Sequence, residues 1–86
     1  MTWNLRIARR SEKALEKLPA HDRKRVLGAI ETMRQDPFAG DIARLKNQPA
    51  AWRRRVGNYK IFFDVYPDRL LVDVVEIKRR TSTTYG

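Results

Sequence analysis

The residues of this sequence best suited to chemistry lie at positions 52–60, where four cationic side chains occur with no acidic one. The four are Arg53, Arg54, Arg55 and Lys60. The Gly57-Asn58 pair between them predicts a two-residue hairpin turn, which sets Arg55 opposite Lys60 and Arg53 opposite Phe62. Arg53, Arg55 and Lys60 then share one face. Because like charges that face each other across strands destabilise a sheet, the pattern predicts an external anion there, most simply phosphate.

The composition of the whole chain agrees with an anionic partner. Its 86 residues carry a formal charge of +9, and such a field concentrates polyanions at a protein surface. The second half is the more basic, since residues 1–43 hold nine Lys and Arg against six Asp and Glu, while residues 44–86 hold ten against four. A merely solvated basic surface is the simpler alternative that composition leaves open.

Several classes of protein are disfavoured by what the sequence lacks. It has no cysteine, so disulfides and thiolate metal sites are excluded, as expected for a reducing cytoplasm. Its apolar runs are far too short for a signal-peptide core or a membrane span. No histidine or carboxylate cluster has metal-ligand spacing, so we expect neither metal nor cofactor. At this length we expect one cytoplasmic domain, residues 1–86, with a modest core.

Apolar periodicity predicts a strand and then two helices. Residues 3–8 alternate as a strand, which we expect to be paired inside the sheet. Ser11 is expected to cap a short helix that Pro19 closes, and a second helix is predicted over residues 22–35. The buried stripe of that helix is predicted to be Val26, Leu27, Ile30 and Met33. Residues 36–51 are predicted to be a long connection.

Two further strands are predicted after the basic hairpin turn, over residues 59–66 and 70–78, with a turn at Pro67-Asp68. A simple turn pairs apolar residues across them and so defines a core face: Val65 with Leu70, Phe63 with Val72, and Ile61 with Val74. Trp52 joins that face, as does Glu76. We expect Glu76 to pair with Arg54 rather than to take part in acid–base chemistry, although it is the only carboxylate close enough to the basic hairpin to compete for that role. The opposite face is predicted to carry Arg53, Arg55, Lys60, Phe62, Asp73, Val75, Ile77 and Arg79.

The predicted fold class is α+β: an N-terminal strand, an antiparallel helical hairpin and a three-stranded antiparallel meander, forming a four-stranded sheet with the helices on one face. This order resembles that of the RelE/ParE toxin superfamily over nearly the whole chain. The resemblance rests on Asp36-Pro37, Leu45-Lys46, residues 52–60, and Lys78-Arg79-Arg80 followed by Tyr85. The final Arg and Tyr favour the RelE branch, whose fold is similar to that of small microbial ribonucleases.

The resemblance implies the toxin of a type II toxin–antitoxin system, an mRNA interferase. Such a toxin is a metal-independent endoribonuclease that cleaves messenger RNA in the ribosomal A site by attack of the RNA's own 2′-hydroxyl. In the family pattern, the positions of Arg53, Arg55 and Lys60 hold and activate the RNA backbone. The position of Arg79 stabilises the scissile phosphate or assists the leaving group, and that of Tyr85 stacks on a base and helps orient the nucleophile. Further RNA contacts are expected from Lys46, Arg54, Phe62, Lys78 and Arg80.

This sequence departs from the family pattern at the basic positions, and the departure bears on the proton acceptor. It has Arg53 and Arg55 where the family also has lysine, and Lys60 where arginine is usual. Arginine matches phosphate oxygens but accepts no proton near neutral pH. Since two flanking guanidinium charges disfavour a protonated amine, Lys60 is the best internal candidate for the general base. Water, ribosomal RNA or simple orientation of the hydroxyl are alternatives. His21, beside Asp22, is expected to be a capping or exposed residue.

The resemblance also implies partners. These are messenger RNA, the small ribosomal subunit with its RNA, and a RelB-like antitoxin whose acidic amphipathic segment folds on the basic toxin in a hetero-oligomer. No membrane contact is expected. Two other functions stay open: a ParE-like toxin that inhibits gyrase through a protein contact and needs neither Arg79 nor Tyr85, and a non-catalytic basic nucleic-acid-binding module. If the protein is such a module, all basic residues should contribute about equally to its affinity for nucleic acid, and that affinity should fall steeply as salt is added.

Overall fold

A computed structural model describes residues 2–79, and these residues form two helices and five strands. Arg80 and Tyr85 lie outside the described residues. The elements are β1 (Asn4–Ile7), α1 (Arg9–Glu16), α2 (Ala20–Met33), β2 (Asp41–Arg44), β3 (Trp52–Val56), β4 (Tyr59–Tyr66), a 3₁₀ turn (Pro67–Arg69) and β5 (Leu71–Arg79). The predicted α+β class is confirmed, and the sheet has one strand more than expected.

The additional strand is β2, which lies inside the segment predicted to be a connection. It pairs with β3 in antiparallel orientation and forms one edge of the sheet, whose order is β1-β5-β4-β3-β2. Four residues are too few for alternation to identify a strand, so its partner decides its conformation. β1 forms the other edge, parallel to β5, rather than lying inside the sheet.

The helices cover one face of the sheet. The buried residues of α2 are Val26, Ala29, Ile30 and Met33, a spacing that follows one helical face. Leu27 falls off that face and is 42% exposed, which corrects the predicted stripe. Sheet residues that complete the core are Tyr59, Ile61, Phe63, Val72, Val74 and Ile77, with Trp52 packed against them as predicted. Neither helix in residues 2–79 is long and apolar enough to cross a membrane.

Ser11 does not cap α1. The helix begins at Arg9 with Ala8 as its N-cap. Ser11 is fully buried, and its hydroxyl donates to the backbone carbonyl of Val74 at 3.4 Å. The hydroxyl therefore fastens α1 to the middle of β5.

The basic hairpin has the predicted pairing. Arg55 lies opposite Lys60 and Arg53 opposite Phe62. Gly57 has a φ of +57°, the left-handed conformation that a two-residue turn of this kind requires and that glycine adopts without steric cost. The local sequence therefore determines this part of the sheet.

The pairing of β4 with β5 differs from the prediction in two ways. The chain turns through Pro67–Arg69 and a left-handed Leu70, so Phe63 pairs with Val74 rather than Val72. A bulge between Phe62 and Phe63 then inserts one extra β5 residue, so Ile61 lies opposite Ile77. A shift of two residues preserves which side chains face the core, but a one-residue bulge reverses the faces beyond it.

Candidate nucleic-acid interface

The predicted anion site lies on the face of the sheet opposite the helices, here called the open face. Directly opposed residues of neighbouring strands project to the same side, so the pairing assigns its members. Its members include Phe62 and the charged residues Arg6, Asp41, Arg53, Arg55, Lys60, Asp64, Asp73, Glu76 and Lys78. The structure thus brings Arg53, Arg55, Lys60 and Phe62 together as predicted, and the bulge adds Glu76 and Lys78.

Three cations lie side by side at the end of the open face nearest the hairpin turn. Arg55, Lys60 and Lys78 are directly opposed across β3, β4 and β5. Asp41 Oδ2 is 3.9 Å from Arg55 Nε, but both side chains are largely exposed, so this ion pair compensates little of the repulsion. This cationic row is the part of the face that an anion would stabilise most.

Carboxylates occupy the opposite end of the open face. Asp64 lies directly across from Asp73. Asp64 Oδ1 accepts a hydrogen bond from the Ala51 N–H at 2.7 Å, and Asp73 Oδ2 is 3.1 Å from Arg6 Nη1. No three His, Cys, Asp or Glu side chains in residues 2–79 come together as a possible metal site. Cations therefore gather at the turn end of the open face and carboxylates at the other end, so the turn end is the better suited to a polyanion.

Arg53 lies between these two ends, and one nitrogen of its guanidinium group lacks a hydrogen-bond acceptor in residues 2–79. Arg53 is partly buried, and this nitrogen, Nη1, is buried with no hydrogen-bond partner from residues 2–79. A buried donor without a partner costs free energy, and a phosphate oxygen is a well-matched acceptor. The Phe62 ring lies directly opposite, with Lys78 Nζ 5.8 Å from its centroid. Arg53 and Phe62 together offer a phosphate contact beside an aromatic surface.

Arg54 points to the other side of the sheet and is part of the helix–sheet contact. Its Nη1 donates to the Ala29 carbonyl at 3.1 Å and to Thr32 Oγ1 at 2.7 Å. The structure therefore places the expected RNA contact of Arg54 away from the open face. The predicted pairing of Arg54 with Glu76 is wrong, because the bulge turns Glu76 to the open face. There its carboxylate oxygens lie 4.0 Å from Arg10 Nη1 and 3.9 Å from Lys78 Nζ.

Arg79 is not on the open face, which corrects the prediction. It pairs with Tyr59, whose side chain is in the core beneath the helices, and Lys78 takes the open-face position instead. The reversal follows from the bulge. Lys46 is exposed between β2 and β3, and His21 is exposed on α2, as expected. The predicted roles of Arg80 and Tyr85 concern residues outside the described part of the chain.

A hydrogen bond between Tyr59 and Asp22 ties the basic hairpin to α2. Tyr59 Oη donates to Asp22 Oδ2 at 2.7 Å. This bond raises the pKa of Tyr59, as do burial of the phenol and the negative charge of Asp22, while Arg79 opposes the shift. Sequence reasoning missed this contact, since no local signal links the two residues. The bulge did leave a signal, because Val74 and Val75 interrupt the apolar–polar alternation of β5.

The stabilising effect of this hydrogen bond is expected to disappear in alkaline solution. Because the pKa of Tyr59 is higher in the folded state, neutral Tyr59 stabilises the fold below its unfolded-state pKa of about 10. That contribution is lost as pH rises through the folded-state pKa. In denaturation between neutral pH and about pH 11, the stability advantage of wild type over Tyr59→Phe should shrink. Tyr66→Phe, at an exposed position, should parallel wild type. An advantage that does not vary with pH would contradict the expectation.

The chain is similar to archaeal RelE proteins in sequence and in fold. It is 31% identical over 83 residues to a Methanocaldococcus jannaschii protein assigned as toxin RelE1, covering 93% of this chain and 92% of that protein. No protein-family model matches. A chain of the RelE–RelB complex from Pyrococcus horikoshii superposes with a TM-score of 0.83 at 23% identity, covering 96% of this chain and 100% of that one. For the RelB–RelE complex from Methanococcus jannaschii the TM-score is 0.69 at 29% identity, with 87% and 89% covered.

Proposed function

The chain belongs to the RelE toxin family, and from this premise we propose that it is the toxin of a type II toxin–antitoxin system that cleaves messenger RNA on the ribosome. The reaction is attack of the RNA 2′-hydroxyl on the adjacent phosphate, without a metal. It leaves a 2′,3′-cyclic phosphate and a 5′-hydroxyl. It requires a proton acceptor and stabilisation of the negative charge that develops on the phosphate.

The observation that carries this proposal is the cationic row together with Arg53 Nη1 on the open face, a donor for which residues 2–79 supply no acceptor. Arg53 and Arg55 hold phosphate oxygens in this proposal, since a guanidinium matches them with two parallel hydrogen bonds. Lys60 and Lys78 add charge on the neighbouring strands. Phe62 offers a surface on which a base can stack. Arg79 is exposed at the end of β5, although it leaves the open face, and in this proposal it keeps the role that the family resemblance implies, as does Tyr85.

A RelB-like antitoxin is the proposed partner that restrains this activity in the cytoplasm. The similar RelE proteins of Pyrococcus horikoshii and Methanococcus jannaschii are found in complexes with RelB. An acidic segment that folds on binding suits a chain with a net charge of +9. Carboxylates placed over Arg55, Lys60 and Lys78 would compete directly with the RNA backbone.

The proposal is tested by brief induction of the protein in a translating extract, followed by mapping of new RNA 5′ ends against the reading frame. We expect ends at a constant position within codons, and none when translation is blocked before elongation. Arg79→Ala and Tyr85→Ala should abolish both cleavage and growth arrest while ribosome binding persists. Full growth arrest by both variants with no new ends would instead favour gyrase inhibition. Binding to RNA with no cleavage would favour a passive nucleic-acid-binding module.

A further inference from the structure

The bulge in β5 places one carboxylate, Glu76, beside the cations of the open face, and we propose that Glu76 is the general base of the reaction. This inference rests on the proposed cleavage of RNA. Glu76 lies directly opposite Phe62 on one side, as Arg53 does on the other. Adjacent strands are about 4.8 Å apart. A nucleotide over the Phe62 ring is therefore within reach of a phosphate-binding guanidinium and a carboxylate on opposite flanks.

Within residues 2–79, the contacts of Glu76 leave the hydrogen-bonding capacity of its carboxylate unused. Its nearest cationic atoms, Arg10 Nη1 and Lys78 Nζ, are 4.0 Å and 3.9 Å away, beyond hydrogen-bond length. Its side chain is 28% exposed, so a ligand can reach it. An ionised carboxylate with free lone pairs accepts a hydrogen bond from a hydroxyl.

The other carboxylates of the open face are less suited to this role. Asp64 accepts a hydrogen bond from Ala51, and Asp73 pairs with Arg6 through Oδ2 while its Oδ1 is buried, out of reach of an RNA hydroxyl. Both lie at the end of the open face away from the cationic row. Asp41 stands on the edge strand β2, separated from Phe62 by β3. Glu76 is thus the open-face carboxylate next to both Phe62 and the cationic row.

Glu76 is also better suited than Lys60 to accept a proton. A carboxylate is deprotonated at neutral pH by its ordinary chemistry, whereas an ammonium group must first lose a proton before it can act as a base. Lys60 lies between Arg55 and Lys78, where a positive charge on each of the three stabilises the negative transition state. Glu76 then accepts the proton, and the cationic row stabilises the negative charge of the transition state.

The proposed step balances in atoms and charge. The 2′-hydroxyl proton moves to a carboxylate oxygen of Glu76 as the bond from the 2′ oxygen to phosphorus forms. The bond from phosphorus to the 5′ oxygen breaks, and the leaving oxygen takes a proton from water. Glu76 then returns its proton to the hydroxide that this leaves. Neither an oxidant nor a reductant takes part.

The test begins with single-turnover cleavage of messenger RNA on programmed ribosomes by the wild-type protein. Absence of cleavage there would overturn the proposed function itself, independently of Glu76. With wild-type cleavage established, Glu76→Gln should lower the rate by a factor of about 100 to 10,000, the usual contribution of a general base. Its affinity for the ribosome should change less than about fivefold. Glu16→Gln, the same substitution at an exposed position of α1, should alter the rate less than about twofold.

Two further variants separate proton transfer from a structural role of Glu76. Arg10→Gln removes one ionic neighbour but keeps the carboxylate, so the rate should fall less than about fivefold. In Glu76→Ala, added formate or acetate should restore cleavage in a concentration-dependent manner, because a small carboxylate can replace the missing base. Wild-type cleavage by Glu76→Gln would overturn the inference. So would a folded Glu76→Ala protein that formate leaves inactive, or an Arg10→Gln protein as slow as Glu76→Gln.

Discussion

Arg53→Met is expected to lower the rate of RNA cleavage by a factor of about 100 or more, the usual effect of removing one donor to a charged transition state, without destabilising the protein. The Nη1 atom of Arg53 is buried and has no hydrogen-bond partner in residues 2–79. The folded protein therefore carries the cost of desolvating this donor without a compensating bond. Methionine removes that cost and keeps most of the apolar contact of the side chain.

The expected combination is a protein that cleaves poorly and is at least as stable as wild type. The free energy of unfolding should be unchanged or higher by up to about 1 kcal/mol, measured by chemical denaturation at neutral pH. The cleavage rate is measured on programmed ribosomes in the same buffer. Arg9→Met, at an exposed position of α1, is the matched control and should change neither quantity appreciably. Lost stability with retained cleavage would show that Arg53 serves the fold rather than the RNA.

Arg54→Met is expected to do the opposite of Arg53→Met: it should lower the stability of the protein and leave cleavage intact. Its guanidinium donates to the carbonyl of Ala29 and to the hydroxyl of Thr32, which links β3 to α2. Hydrogen bonds from a charged donor contribute about 1.5 to 3 kcal/mol each, less where they are partly exposed to water. We therefore expect Arg54→Met to lower the free energy of unfolding by about 2 kcal/mol. Thermal and chemical denaturation both measure it.

The Arg54 variant should retain cleavage at temperatures where it is fully folded, because Arg54 lies on the helix side of the sheet. Thr32→Val removes one of the two acceptors and should account for part of the loss in stability. The double variant should then lose less than the sum of the single losses, since the two residues share a hydrogen bond. Full stability in Arg54→Met, or a loss of cleavage in the folded protein as large as that of Arg53→Met, would contradict this assignment.

Arg53 and Arg54 are neighbours in the sequence but lie on opposite faces of the sheet. We propose that Arg53 binds RNA, whereas Arg54 bonds to α2. The alternation was predictable from the sequence, because a two-residue turn sets the pairing of β3 with β4 and a strand has a period of two. The open-face placement of Arg53, Arg55, Lys60 and Phe62 was therefore predicted correctly. The hydrogen bonds from Arg54 to α2 could not be predicted from the sequence, because they depend on where a helix distant in the sequence packs against the sheet.

The sequence by itself determined the α+β class, the pairing of the basic hairpin and the membership of Arg53, Arg55 and Lys60 in one face. Each of these depends on neighbours along the chain. Only the tertiary structure decided that β2 is a strand, that Glu76 and Lys78 join the open face, and that Arg79 leaves it. The changes of face of Glu76, Lys78 and Arg79 follow from a single inserted residue in β5. The consecutive Val74 and Val75 indicate an irregularity in this strand but do not determine where the bulge forms. A bulge reverses every side chain beyond it, and its position depends on how β5 packs against β4 and α1, so tertiary packing selects the pairing.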